Sequence, residues 1–307
     1  MKLRSGFQMQ CGEVAAASNL TAAIAIHNAS TPLLSLPPEL KNKIYELVFG
    51  GRVVHISQDQ HHDILRWDNR ICYPKMTEEK AQEIFNNQKP NRWCGRDWPK
   101  RHETCHCRPF KIAPRSVRTT LLRTCRQLYN EAKYIPYSTN TFGFRSPEVL
   151  HNFISLTLLH GTDHALAIRS IMIEPQRVRH QRDCEWEEPL ALTRRHFTNI
   201  EKLHVNFEQD RAKFEDIILE KPWLGGNIAA HSQYKKMKAA VLQLDKLPIK
   251  HVTVIVDDWR AYERLEMDAH FMLEKGWRWT LAEKQEWARD VKEKLLQGKN
   301  KSSIGVD

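Results

Sequence analysis

The stretch that decides the reading of this chain is Leu36-Pro37-Pro38-Glu39-Leu40-Lys41-Asn42-Lys43-Ile44-Tyr45-Glu46-Leu47-Val48, followed closely by Gly50-Gly51. Pro38 suits the first helical position, where its missing N–H costs nothing and its fixed φ is already helical. Glu39 follows in the first turn, where a carboxylate meets the positive end of the helix dipole. Leu40, Ile44, Leu47 and Val48 then recur at helical spacing and predict one apolar face. The Lys41, Asn42 and Lys43 side is expected to face solvent. Gly50-Gly51 predicts a left-handed cap at the end. A short helix with so apolar a stripe must bury it, either against its own chain or against another protein.

Working outward, a second helical signature spans Leu121 to Ala132, with Leu121, Cys125, Leu128 and Ala132 on one face. Pro136 predicts its end, because proline disfavours helix at the preceding residue and cannot donate. Thr139-Asn140-Thr141-Phe142-Gly143-Phe144 then reads as a short strand with both phenylalanines on one side.

Between the blocks lies an insertion, 52–117. Val53-Val54-His55-Ile56 predicts a strand, and Glu78 to about Gln88 predicts a helix capped by Thr77. Toward its end, Asn91 to Arg118 carries Arg92, Arg96, Lys100, Arg101, Arg108, Lys111, Arg115 and Arg118 against Asp97 and Glu103, a net charge of +6. Trp93 and Trp98 are interleaved with these cations, an arrangement that suits phosphates and stacked bases. The plainer reading is a solvated loop, since Pro99, Pro109 and Pro114 interrupt regular structure and no nucleic-acid motif accompanies the charge. Cys94, Cys105 and Cys107 are candidate zinc ligands in the same loop. Their spacing departs from the close Cys pairs of structural zinc sites, so the expectation is free thiols and no metal.

Taken together the two blocks resemble the F-box, and more closely the fungal F-box-like proteins of unassigned function. The residues that carry the resemblance are Leu36-Pro37, Glu39-Leu40 and Ile44-Tyr45, then Cys125-Arg126-Gln127-Leu128-Tyr129, Glu131-Ala132 and Asn140-Thr141-Phe142. In an ordinary F-box the blocks adjoin and dock on the Skp-type linker subunit of a cullin–RING ubiquitin ligase. The resemblance therefore implies that Leu36, Pro37, Leu40, Ile44 and Leu47 contact such a linker, while the rest of the chain holds an unknown protein substrate. The bland alternative is that the stripe is core, sealed by residues 52–117.

After Phe144 the pattern alternates. Ser146-Pro147-Glu148 is a helix start. Ile168-x-x-Ile171-x-Ile173, Ile200-x-x-Leu203-x-Val205-x-Phe207 and Ile249-x-x-Val252-x-Val254-x-Val256 predict three strands with helices between them, hence parallel pairing. The Asn or Cys ladder of leucine-rich repeats is missing, since Gln176, Glu208 and Asp257 stand there. Thr280 to Leu296 predicts a final helix whose stripe (Leu281, Lys284, Trp287, Val291, Leu295) includes one lysine stem. The expected fold is mixed α+β and α/β: F-box-like helices with an insertion over 32–145, an irregular βα-repeat sheet over 146–298, and disordered tails at 1–31 and 299–307.

The 307 residues, 41% hydrophobic and 27% charged, have a globular composition. No run suits a membrane helix, and residues 1–30 lack the block and cleavage site of a secretory signal. Seven scattered cysteines argue for reduced thiols in the cytoplasm or nucleus. There is no phosphate-cradling glycine loop, no His-Glu-x-x-His and no Gly-x-Ser-x-Gly. The expectation is a non-enzyme without cofactor, with nucleic-acid binding through 91–118 as the alternative role.

Overall fold

The computed structural model describes residues 31–61, 64–72, 76–87, 119–174, 186–208, 236–257 and 281–302. Pro38 opens helix α1 (Pro38–Phe49) at its first turn, as its fixed φ dictates. Gly50 then turns extended at φ −112°, and it is Gly51, at φ +71°, that takes the left-handed conformation. Thr139 packs so close to Gly50 that a Cβ there would collide with it.

The chain then enters β1 (Val53–His61), which pairs antiparallel with β2 (Ile64–Cys72). β1 is twice the predicted length, and β2 is a strand the sequence reading missed. Arg66, Asp68, Asn69 and Arg70 obscure its alternation. Helix α2 (Glu78–Asn87) begins where expected, with Thr77 Oγ1 accepting from the Lys80 N–H at 3.2 Å.

The second block is not one helix. A 3-10 turn (Thr119–Arg123) stops at Thr124, and Cys125, extended at φ −152°, caps a separate helix α3 (Arg126–Ala132) through its sulfur. Pro136 likewise does not terminate structure. It sits in the first turn of a short helix α4 (Ile135–Thr139), a position that tolerates its lost donor.

β3 (Thr141–Phe144) leads to α5 (Pro147–Leu159), whose N-cap Ser146 accepts from the Val149 N–H. Then follow α6 (Thr162–Ala167), β4 (Ser170–Ile173), α7 (Glu187–His196) and β5 (Lys202–Glu208). A helical segment over 236–242 that runs into a 3-10 turn (Gln243–Lys246), β6 (His251–Asp257) and α8 (Leu281–Ser302) complete the described chain.

The molecule is a mixed α/β protein on one six-stranded sheet, in the order β2-β1-β3-β4-β5-β6. β1, β3, β4, β5 and β6 run parallel in chain order, with β2 antiparallel at one edge. The parallel strands follow one another in chain order, and the order reverses only at the antiparallel β1–β2 hairpin. The sheet joins strands from 32–145 to strands from 146–298 in a single layer.

One face carries the main core: Val54, Ile56, Phe142, Phe144, Ile171, Ile173, Leu203, Val205, Phe207, Val252, Val254 and Val256. Against it pack Leu150, Phe153 and Ile154 of α5, Leu190 of α7, Val241, and Trp287, Val291 and Leu295 of α8. Burying each such side chain contributes roughly 1.5–3 kcal/mol. Ile168, Ile200 and Ile249, just ahead of β4, β5 and β6, are fully buried. Lys284 is buried within the α8 stripe, as its spacing predicted. Among the described residues no helix is long and apolar enough to cross a membrane.

Candidate functional site

The two motif blocks meet. Tyr45 and Phe49 of α1 are buried against Leu128 and Ala132 of α3, a separate small core beside the sheet. Lys41 Nζ donates to Glu131 Oε1 at 2.8 Å, and the Tyr45 hydroxyl donates to Oε2 at 3.0 Å. Gln127 Nε2 adds a third bond, to Oε1, at 3.0 Å. Lys41 is therefore not the plain surface residue its spacing suggested: its side chain is only 12% exposed, its stem lying along the buried face.

Burial, then the hydrogen bond and charge of Glu131, push the Tyr45 phenol up to about 12. Burial acts to raise the Glu131 carboxyl as well, but the hydrogen bonds from Lys41, Gln127 and Tyr45 outweigh it and hold the group below its ordinary value.

Asn140 joins α1 to the sheet. Its Nδ2 donates to Phe49 O at 2.6 Å and Pro136 O at 2.7 Å, and its Oδ1 accepts from the Arg52 N–H at 3.0 Å. One fully buried side chain thus satisfies three main-chain groups where α1 and α4 both end beside β3.

With Tyr45 and Phe49 turned inward, the predicted partner stripe lies on an adjoining side of α1. Leu40 is 54% exposed and Leu47 is 71% exposed. Leu36 and Ile44 are half-buried, Val48 packs at the edge of the small core, and Pro37 is exposed at the N-cap position. The apolar spacing therefore combined two faces: Val48 belongs inside, Leu40 and Leu47 outside. The true inward face centres on Tyr45 and Phe49, which an aliphatic stripe search passes over.

The small core fully buries only Tyr45, Phe49, Leu128 and Ala132. Leu33, Leu34, Val48, Leu121, Leu122, Cys125 and Ile135 pack against it partly buried. Tyr129, also exposed, belongs to the same helical unit. The described parts of the insertion do not seal α1; β1 and β2 extend the sheet and α2 packs at its far edge, by β6.

A second gathering of polar groups was missed by sequence reasoning. On the sheet face opposite the main core, Glu174 Oε2 lies 3.3 Å from both Arg145 Nε and His55 Nδ1. Its Oε1 accepts from Asn206 Nδ2 at 3.4 Å. Gly143 lies between: a Cβ there would come within 3.0 Å of the His55 ring. Beside this group His204 Nδ1 meets Thr253 Oγ1 at 2.7 Å, and Thr141 meets Ser170 at 2.8 Å. The one available signal was alternation: His55, His204, Asn206 and Thr253 each stand between core residues of their strands, while Arg145 and Glu174 directly follow the ends of β3 and β4. Both Glu174 oxygens are taken up by residues from other strands, so the cluster cross-ties β1, β3, β4 and β5.

Among the described residues no three His, Cys, Asp or Glu side chains are grouped to hold a metal. Cys94, Cys105 and Cys107, the basic stretch 91–118 and residues 1–30 and 303–307 lie outside the described residues, while α8 continues to Ser302 through the start of the expected disordered tail 299–307.

These features define a mixed α/β protein in which an N-terminal helical unit keeps an apolar stripe at its surface. A family model described as a domain of unknown function, DUF7730, matches residues 26–218, more than half of the chain, and the chain belongs to that family. No curated protein and no solved structure matches it.

Proposed function

We propose that the protein is a non-enzymatic, F-box-like adaptor acting in the cytoplasm or nucleus. In this reading α1 docks on a Skp-type linker subunit through Leu36, Pro37, Leu40, Ile44 and Leu47, and the sheet-bearing remainder presents a protein substrate. The observation that carries it is the exposure of Leu40 at 54% and Leu47 at 71% on a helix whose other side is locked down. A lone exposed leucine is ordinary, but two on one helix, beside an incompletely buried core, mark a surface for a partner. The Lys41–Glu131–Tyr45 bonds support the reading by fixing how the stripe is presented.

The test is capture of purified linker subunit by the full chain and by a Leu40→Asp, Leu47→Asp variant. Both residues are exposed, so the substitutions leave the fold intact by circular dichroism. Capture by the unchanged chain and at least tenfold weaker capture by the variant is the expected result. Equal recovery, or none with either protein, overturns the reading.

A further inference from the structure

The parallel strands all enter the sheet at one end, and on the β4–β6 side that end is rich in cations. Glu201, just ahead of β5, lies between Arg169, ahead of β4, and Lys250, ahead of β6. The Glu201 N–H donates to Arg169 O, and the Lys250 N–H donates to Glu201 O. Lys250 Nζ reaches Glu201 Oε1 at 2.9 Å, and Arg169 Nη1 lies 3.7 Å from the same oxygen. The hydrogen bond from Lys250, then the charges of Lys250, Arg169 and Lys202, outweigh burial and hold this carboxyl below its ordinary value. One carboxylate answers three cations.

The surrounding elements add to the surplus. α7 ends here with Arg194 and Arg195, and the 3-10 turn packed against α7 brings Asp245 and Lys246. Six cations therefore stand against Glu201 and Asp245, a net charge of +4. Arg195, Lys202, Lys246 and Lys250 are exposed. The opposite end of the same elements is acidic: Glu187 and Glu188 open α7, and Glu208 and Asp257 end β5 and β6. The helix dipole accounts for the charges at the two ends of α7. It does not account for Arg169, Lys202 and Lys250, since strands carry little net dipole.

An apolar feature adjoins these cations. Asn199 Nδ2 donates to Leu166 O at 2.8 Å and Arg169 Nη1 to Asn199 O at 3.5 Å, which ties the end of α6 to the start of the basic row. Leu166 is 41% exposed, and Leu159, at the neighbouring end of α5, is 83% exposed. Adjacent strands lie about 4.8 Å apart, so the row from Arg169 to Lys250 spans about 10 Å, little more than two alternate residues of an extended peptide. A short segment laid across the strand entries meets a leucine first and cations after it.

We propose that this strand-entry end is a docking surface for an acidic segment of a partner protein, with an aliphatic side chain ahead of its carboxylates. Exposed leucines suit an aliphatic side chain, whereas single-stranded nucleic acid is met by aromatic platforms on which bases stack. The cations already face solvent, so the segment binds the fold as it stands, and charge complementarity orients it. The surface gives the substrate of the adaptor reading a chemistry, and rests on that reading only for the partner's role.

The test titrates the full chain into a fluorescent peptide of one leucine followed by glutamates. Anisotropy reads the binding, and nuclear magnetic resonance follows the Glu201 and Lys250 amides. No linker subunit is present, so failure here is distinct from failure of α1 to dock. The expected result is saturable binding that weakens with added salt and shifts both amides. It should fall at least tenfold in an Arg195→Glu, Lys246→Glu variant and at least threefold in Leu166→Asp. All three residues are exposed, so circular dichroism should be unchanged. Absence of binding at low salt overturns the proposal. So does binding that spares the two amides or is equal in the double variant, which assigns it to other cations of the chain. Tighter binding of a single-stranded oligonucleotide of equal charge also overturns it, assigning the surface to nucleic acid. If the double variant does not fold, the amide shifts of the unchanged chain decide.

Discussion

Glu131 is where the two motif blocks are tied, and its protonation state sets the strength of the tie. Its carboxyl is held below the ordinary value, so its contribution to stability is present above the ordinary carboxyl range and lost as pH falls through the depressed value. Tyr45 behaves in the opposite sense. Its phenol is raised to about 12, so its contribution is complete below the ordinary tyrosine value and lost as pH climbs toward that figure. Between these limits the site is fully bonded. Glu131→Gln keeps the shape but removes the charge that Lys41 and Tyr45 address, and should cost about 1–2 kcal/mol at neutral pH, discounted for partial exposure. Urea denaturation as a function of pH checks this: the variant should show a shallower acid limb and Tyr45→Phe a shallower alkaline limb, the remainder coming from the likewise lowered Glu201 and Asp290 and the likewise raised Tyr137. Superimposable profiles for all three proteins would show that the bonds are idle. Nothing in the sequence pairs Glu131 with residues far upstream except the resemblance that placed both in one motif.

At the scale of elements, α1 has to satisfy the sheet behind it and present a surface in front. Asn140 does the first. Asn140→Ala leaves the Phe49 and Pro136 carbonyls and the Arg52 N–H without their partner, and should destabilise the protein by about 2–3 kcal/mol in urea titration. A change under about 0.5 kcal/mol would mean that water or a neighbour takes over each bond. The existence of α1, its proline start, the first part of β1 and the Thr77 cap were all legible, because they rest on local backbone chemistry. Which side of α1 turns inward was not. Leu40, Ile44, Leu47 and Val48 outnumber the aromatics on a hydrophobicity count, but Tyr45 and Phe49 fill more volume and Tyr45 can bond its hydroxyl to Glu131. The break at Cys125 escaped notice because a thiol is seldom read as a helix cap, although it accepts from the Leu128 N–H at 3.4 Å.

For the whole molecule, the one sheet decides what folds together. β4, β5 and β6 were legible from their shared spacing and buried leading isoleucines, and they pair in parallel as alternation with helices requires. The union of both halves was not legible, since strand order is set by long-range packing of Val54, Ile56, Phe142 and Phe144 on the same core. A fragment of residues 146–307 therefore strips three strands, β1, β2 and β3, from the sheet and leaves β4 as a bare edge. It should show no cooperative thermal transition by circular dichroism, and a sharp native-like transition would contradict the single-sheet account. The stripe on α1 stands apart from that core, free to serve a different purpose. The most direct trial is calorimetric titration of the full chain, and of its Leu40→Asp, Leu47→Asp form, into purified linker subunit. Saturable one-to-one binding with a negative heat-capacity change, lost in the substituted form, is the predicted result. Indistinguishable isotherms for the two proteins, or no heat from either, would contradict the claim that this helix faces another protein.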